Sequence, residues 1–267
     1  MIVAPRNPYP QGFVFGRGEA SPRALSLSGL KFARALAALA KVRGRVLELG
    51  CGGGQYLRGL KRRRPDLELH GVDLDPEAVA VVTRESGLDC RQADAARLPY
   101  PAGYFSAVLG FDILEHVPDP DGVLRECSRV LAPGGVLHLY VPCEGNPRTV
   151  YARRGHELKA KWGGHCQQFA TLDLLARLVL AGFEVRGVRH ADYWLTQQLD
   201  YLFFSRLERS ADPAALWAAQ SLRPGGGLAG WFLRLARRLL SAASWLEGSL
   251  RRGEQGAMGA HVTAVKK

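Results

Sequence analysis

Between residues 45 and 142, short apolar runs alternate with helical stretches, and few architectures accept that alternation. RVLELGC (45–51), LELHGVDL (67–74), DCRQAD (89–94), YFSAVLGF (104–111) and GGVLHLYVP (134–142) read as strands. QYLRGLKRRR (55–64), PEAVAVVTRESG (76–87) and DPDGVLRECSRVL (119–131) read as the helices that join them. Pro76 opens the second of these, Gly87 closes it, and an aspartate stands near the start of the third. Strands separated by helices of this length predict a parallel sheet built from right-handed βαβ units. Beyond them, TLDLLARLVLAGF (171–183) reads as a helix capped by Thr171 and ended by Gly182. FEVRGVRHADYW (183–194) reads as a sixth strand and AHVTAVKK (260–267) as the last.

The flanks differ from this core. Residues 1–22 are rich in proline and glycine, carry Tyr9, Phe13 and Phe15, and read as an irregular arm. A helical spacing follows at Leu27, Leu30, Ala33, Leu36 and Leu39. Residues 143–170 are polar and basic with no clear period, and 195–258 do not fit the alternation. The expected division is an N-terminal arm and helix (1–44), a core (45–194), a helical insertion or lid (195–258) and a final core strand (259–267). At 47% hydrophobic and 23% charged, the composition excludes wholesale disorder. The net charge of +11 lies mainly in the flanks: residues 1–45 hold eight basic residues against Glu19 alone. That balance favours anionic partners without choosing among nucleic acid, membrane and acidic substrates. Cys51, Cys90, Cys127, Cys143 and Cys166 are odd in number and make no Cys-x-x-Cys pair, which argues against a disulfide framework or zinc knuckle. Without a secretory signal or an 18-residue apolar run, the expected location is the cytoplasm.

The strongest chemical signal is Glu48-Leu49-Gly50-Cys51-Gly52-Gly53-Gly54 at the end of the first strand. Glycines let backbone approach a ligand there, and the following helix aims its amides at it. Asp73 ends the second strand, at the spacing of an acid that bonds a ribose hydroxyl pair. The nicotinamide fingerprint Gly-x-Gly-x-x-Gly fails in both registers, because Gln55 or Leu57 stands where its third glycine belongs.

The segments VLELGCGGG, HGVDLDPEAV, QADAARLPYPAGYFSAVLGFDILEHVPDP and LRECSRVLAPGGVLHLYVP resemble, in order, those of the class I S-adenosylmethionine-dependent methyltransferases. HCQQFATLDLLARLVLAGFEV is similar to that family's sixth-strand region. The resemblance implies a Rossmann-like, doubly wound α/β fold. Its sheet would be mostly parallel, with an antiparallel last strand and a helical insertion before it. It further implies S-adenosylmethionine as cofactor, with Glu48, Gly50, Cys51 and Gly52 at its methionine end. Asp73 and Leu74 would meet the ribose side, Asp94 and Ala95 the adenine, and Phe111 would lie near the acceptor. The donor is a sulfonium whose leaving group is a neutral thioether, so the protein's task is alignment and exclusion of water.

FDILEHVPDP is locally similar to ubiquinone-pathway O-methyltransferases. His116 is the candidate catalytic residue, as a base for a hydroxyl proton; alternatively, Glu115 and His116 brace the next helix. Part of that group, with the small-RNA 3′-end methyltransferases, holds a divalent metal on an acid-x-x-Glu-His motif. Here Asp112 stands in the first position and no metal is assigned. Arg148, Arg153, Arg154, Lys159, Lys161, Tyr151, His156, Trp162 and His165 would line an acceptor site or solvate a loop. Within 231–252, Trp231, Phe232, Leu235, Leu239, Ala242 and Leu246 fall opposite Arg234, Arg237, Arg238, Ser241 and Arg252 on a helix, as in interfacial membrane helices or a packed lid.

The resulting expectation is methyl transfer to a small-molecule hydroxyl, apolar or lipid-linked, with peripheral contact to anionic membrane through 231–252. An RNA methyltransferase and a cofactor-binding regulator without turnover are the alternatives.

Overall fold

The computed structural model describes residues 14, 16–145, 153–213, 215–216, 227–251 and 253–267. Seven strands form one sheet in the order β3-β2-β1-β4-β5-β7-β6. They are β1 (Gly44–Leu49), β2 (Leu67–Asp73), β3 (Asp89–Gln92), β4 (Phe105–Phe111), β5 (Leu131–Pro142), β6 (Phe183–Ala191) and β7 (Gly259–Lys266). β1 to β5 pair in parallel, while β7 runs antiparallel to both β5 and β6. The carboxyl ends of β1, β2, β4, β5 and β6 therefore share one edge, the edge where open α/β sheets bind ligands.

The expected helices are present as α1 (Leu27–Ala38), α2 (Gln55–Arg63), α3 (Pro76–Ser86), α4 (Pro120–Val130) and α6 (Thr171–Leu180). Asp75 caps α3 by accepting the Glu77 N–H, and Gly87 ends it with a φ of 64°. Asp119 caps α4 by accepting the Gly122 N–H. The expected Thr171 cap is not formed: Ala170 occupies the N-cap, and Thr171 is buried as the first helical residue. Helix α1 buries Gly29, Phe32 and Ala35, with Phe32 against Tyr56; of the expected spacing Leu39 is fully buried and Leu27, Leu30, Ala33 and Leu36 are half-buried beside that face.

Two further observations extend the sequence reading. Residues without a visible period contain α5 (Arg153–Gly163), and the stretch before β7 holds α7 (Trp194–Glu208) and α8 (Gly227–Leu250). Tyr9, Phe13, Phe15, Arg148, Tyr151 and Arg252 lie outside the described residues, as do the side chains of Arg153, Arg154, Trp231, Phe232, Arg234, Arg237 and Arg238. One core, with Leu47, Phe105, Val108 and Phe183, joins the sheet to α4 and α6. The other, with Phe32, Leu57, Leu60, Phe111 and Tyr140, joins it to α1 and α2.

Candidate active site

At the end of β1 the chain leaves the sheet through Gly50, whose φ is 60° and whose Cβ, if present, would collide with Ile113. No L-residue fits both conditions cheaply. The turn brings the Gly52 N–H onto Asp73 Oδ2 at 2.7 Å, and the Asp75 N–H onto Oδ1 at 3.0 Å. The Asp73 carboxylate is thus fixed at the tip of β2. Burial raises its pKa against those two N–H groups, so further donors would stabilise its charge. Glu48 is 2% exposed, and its Oε2 has no hydrogen-bond partner. Burial drives this carboxyl well above its ordinary range, with the nearby Cys90 and Asp73 adding to the effect.

Leu74 follows Asp73 with 62% of its surface exposed, a flat apolar contact at the strand's end. Asp94 accepts the Ala96 N–H at 2.8 Å beyond β3, and Ala95 packs on the main core. Phe111 ends β4 with its ring 4.3 Å from that of Tyr56. The sequence-derived residues Glu48, Gly50, Cys51, Gly52, Asp73, Leu74 and Phe111 therefore stand on neighbouring strand ends, with Asp94 and Ala95 at the β3 side. A buried acid with one free carboxylate oxygen, a fixed second acid and an open glycine turn match the donors of an amino-acid and ribose-bearing cofactor.

A second cluster lies past β4. Glu115 and His116 form a single 3-10 turn, Leu114–His116. His116 Nδ1 lies 3.2 Å from the Gly164 carbonyl, which fixes Nδ1 as the protonated nitrogen, and Nε2 lies 3.8 Å from Glu115 Oε1. Burial, helped by His165, lowers the His116 pKa to about 4. Both Glu115 carboxylate oxygens are buried without a hydrogen bond, and burial raises this acid well above its ordinary range. His165, from the loop after α5, brings its ring within 4.9 Å of His116. Donor atoms of Glu115, His116 and His165 all lie within 4.8 Å of one another, close enough to share a divalent cation.

Glu144, just beyond β5, supports this cluster. It meets His165 Nδ1 at 2.9 Å, His156 Nδ1 at 3.1 Å and Lys159 Nζ at 3.4 Å. Burial would raise its pKa, but those three partners hold it at about 2. Lys159 also reaches Asp200 of α7 at 3.3 Å. Sequence reasoning placed His165 in the acceptor segment without pairing it to His116, and missed Glu144; the visible hint was two acids and two histidines in a basic stretch. Arg64, at the C-terminal end of α2, is structural: it donates to the Leu39 and Val42 carbonyls.

Comparison with known proteins gives this geometry a context. A family model described as a methyltransferase domain matches residues 47–139. A ubiquinone biosynthesis O-methyltransferase of Xanthomonas axonopodis is 41% identical over 101 residues, 36% of this chain and 41% of that protein. A demethylmenaquinone methyltransferase of Thermus thermophilus is 38% identical over 122 residues, 43% of this chain and 56% of that protein. The match to each thus spans less than two thirds of the relative's length. A geranyl diphosphate methyltransferase solved with its substrate and sinefungin shares the fold at a TM-score of 0.61 and 16% identity, covering 96% of this chain and 90% of its own. So does the [4+2]-cyclase SpnF, at 0.60 and 23%, covering 94% and 86%. Similar backbone therefore accompanies different chemistry, and the reaction must be read from the site. Residues 47–139 thus match a methyltransferase domain, and the class I S-adenosylmethionine-dependent methyltransferases are the family this segment is similar to.

Proposed function

We propose that this chain transfers a methyl group from S-adenosylmethionine to a hydroxyl of a small apolar acceptor. The observation that carries the choice of oxygen is the cluster of buried Glu115 with half-buried His116 and His165 beside the β4 end, a proton-accepting or metal-holding group where the acceptor would lie. The two relatives named above are a ubiquinone-pathway O-methyltransferase and a demethylmenaquinone methyltransferase, which supports a quinone-type acceptor. Neither name points to RNA.

The bound cofactor supplies an electrophilic methyl carbon and a neutral leaving group. Glu48 and the Gly50–Gly52 turn would hold its methionine end, Asp73 and Leu74 its ribose side, and Asp94 and Ala95 its adenine. Phe111 and Tyr56 form an apolar wall that keeps water from the transfer line. His116 keeps its Nδ1 proton on Gly164 and offers Nε2 to the hydroxyl proton.

A second reading shares the same atoms. The unpartnered Glu115 carboxylate favours a divalent ion held by Glu115, His116 and His165, which would acidify the acceptor hydroxyl as a Lewis acid. The expectation of no metal is then replaced by a site of three protein ligands.

Incubation with methyl-labelled cofactor and a panel of quinol precursors, lipids and RNA tests the function. Label should enter an alkali-stable ether of a quinol-type acceptor. Label in RNA, or on carbon or nitrogen, overturns the reading. Metal content after dialysis against a chelator, compared between wild type and His165→Ala, separates the two forms of the site.

The partner proposal rests on α8. Leu235, Leu239, Leu246 and Leu250 are exposed along one stripe, opposite the buried Ser244 and Gly248. Among the described residues no helix is long and apolar enough to cross a membrane. A basic chain with an outward leucine stripe suits an anionic membrane surface, where a lipid-linked acceptor would be found.

A further inference from the structure

Two described non-glycine residues have a left-handed backbone, and both are aspartates on the ligand edge of the sheet. Asp112 follows β4 with a φ of 54°, and Asp192 follows β6 with a φ of 55°. Such strain collects where side-chain placement matters more than backbone comfort. Asp112 Oδ2 pairs with Lys31 Nζ at 2.6 Å, and the same ammonium sits 3.7 Å above the Tyr140 ring. The Asp192 backbone is pinned, since its carbonyl accepts the Met258 N–H at 3.0 Å and Gln197 Nε2 at 2.7 Å. Its carboxylate, in a residue only 7% exposed, has no hydrogen bond among the described residues. Tyr140, 3% exposed, likewise has no partner there for its hydroxyl.

Gly259 shows that these two groups converge. A Cβ at that position would lie 2.5 Å from the Tyr140 hydroxyl and 2.7 Å from Asp192 Oδ2. The glycine keeps open the space between them. Tyr140 and Ala191 belong to the same cluster as Phe111 and Tyr56, so this space adjoins the wall assigned to the acceptor.

We propose that Asp192, Tyr140 and the Lys31–Asp112 pair form a second polar recess of the acceptor pocket, which receives a hydroxyl-like substituent other than the oxygen that is methylated. This rests on reading the β4 edge as the acceptor pocket. A group suited to the recess donates to the Asp192 carboxylate and accepts from the Tyr140 hydroxyl or the Lys31 ammonium, and a hydroxyl does both. An apolar substituent would leave these buried groups unpaired, which is how such sites reject analogues. Burial raises the Asp192 carboxyl to about 7, with Lys31 and Arg34 opposing and Asp200 and Asp112 reinforcing, so an incoming donor restores what desolvation removed.

The test uses the full chain saturated with S-adenosylhomocysteine and three probes: para-hexylphenol and the corresponding catechol and resorcinol. Calorimetry should show at least one dihydroxy probe bound roughly tenfold tighter than the phenol, about one good hydrogen bond. Asp192→Asn and Tyr140→Phe should each erase most of that preference while leaving phenol affinity unchanged. Gly259→Ala should do the same by filling the recess with every polar group retained, so a folding defect in one variant does not decide the matter. Equal affinity for all three probes, or a preference that survives in all folded variants, overturns the recess. Transfer of labelled methyl is measured in parallel. A preference erased by the variants without methyl transfer to any probe would leave the recess standing and sink the reading as an oxygen methyltransferase on such acceptors.

Discussion

Asp73 has its carboxylate held by two backbone N–H groups, those of Gly52 and Asp75. It ends β2 as the spacing requires, and the glycine turn donates to it directly. Asp73→Ala should weaken cofactor binding by about 1–3 kcal/mol, the cost of charge-assisted hydrogen bonds to a partly buried acid. Calorimetry with unchanged affinity would remove Asp73 from the site. Asp192 was invisible in the sequence, because its partners Lys31, Asp112 and Tyr140 meet it only across the folded sheet. Its folded carboxyl holds a proton more tightly than an unfolded one, from an ordinary value of 3.8 up to about 7. The wild type therefore loses stability as pH rises from about 4 to about 7, and little more above that. The charges facing it are Lys31 and Arg34 from α1, Asp112 from the β4 end and Asp200 from α7. Asp192→Asn removes the titration, so it should melt several degrees above wild type at pH 8, with the gap closing by pH 4. An aspartate kept for structure alone would give the opposite order at pH 8.

Among the elements, β1, β4 and β5 were legible because their inner stretches are covered on both faces and read as apolar runs, whereas the edge strand β3 is mostly exposed and polar. Helix α5 was not, because its inner face carries Lys159 beside Leu158, and a buried charge breaks the apolar period. Lys159 joins Glu144 to Asp200 and so ties α5 to the β5 end and to α7. Lys159→Met keeps the aliphatic stem but takes the ammonium from two acids, the buried Glu144, which keeps its two histidines, and the half-exposed Asp200. Breaking a buried pair costs about 3–5 kcal/mol, and the loss should concentrate in α5 and α7. Hydrogen exchange should show their amides opening first while β1 and β4 stay protected. Uniform loss across the sheet would mean that the network stabilises the whole domain rather than fastening these helices. His165 hangs from the same Glu144, so His116→Ala and Lys159→Met test different functions of one cluster. His116→Ala should lower turnover on the true acceptor by roughly 10²–10⁴ with cofactor affinity preserved. Turnover near wild type would make His116 a brace.

At the scale of the whole molecule, the α8 stripe is the surface on which the proposed membrane contact rests. The helix is fastened by one face: Arg34 donates to the Gly248 carbonyl and the Leu195 N–H donates to Glu247. Its opposite face exposes Leu239 at 61%, Leu246 at 50% and Leu250 at 72%. A lid packed on its own pocket would cover its apolar face, whereas this one points it outward. The amphipathic period was readable in the sequence, but the direction it faces depends on anchors 214 and 52 residues apart, which no local pattern carries. Burying two such leucines in a lipid interface is worth about 2–3 kcal/mol, and the basic flanks add a term that salt screens. Wild type should therefore co-sediment with vesicles of mixed phosphatidylcholine and phosphatidylserine, more at low salt, and weakly with phosphatidylcholine alone. Leu239→Gln with Leu246→Gln should reduce that binding by one to two orders of magnitude. Methylation of a water-soluble acceptor analogue should persist in the double variant, since neither residue belongs to the site at the sheet's edge. If wild type leaves anionic vesicles unbound at low salt, α8 does not serve a membrane. If the double variant instead loses activity on the soluble analogue, the stripe closes over the pocket and α8 is a lid.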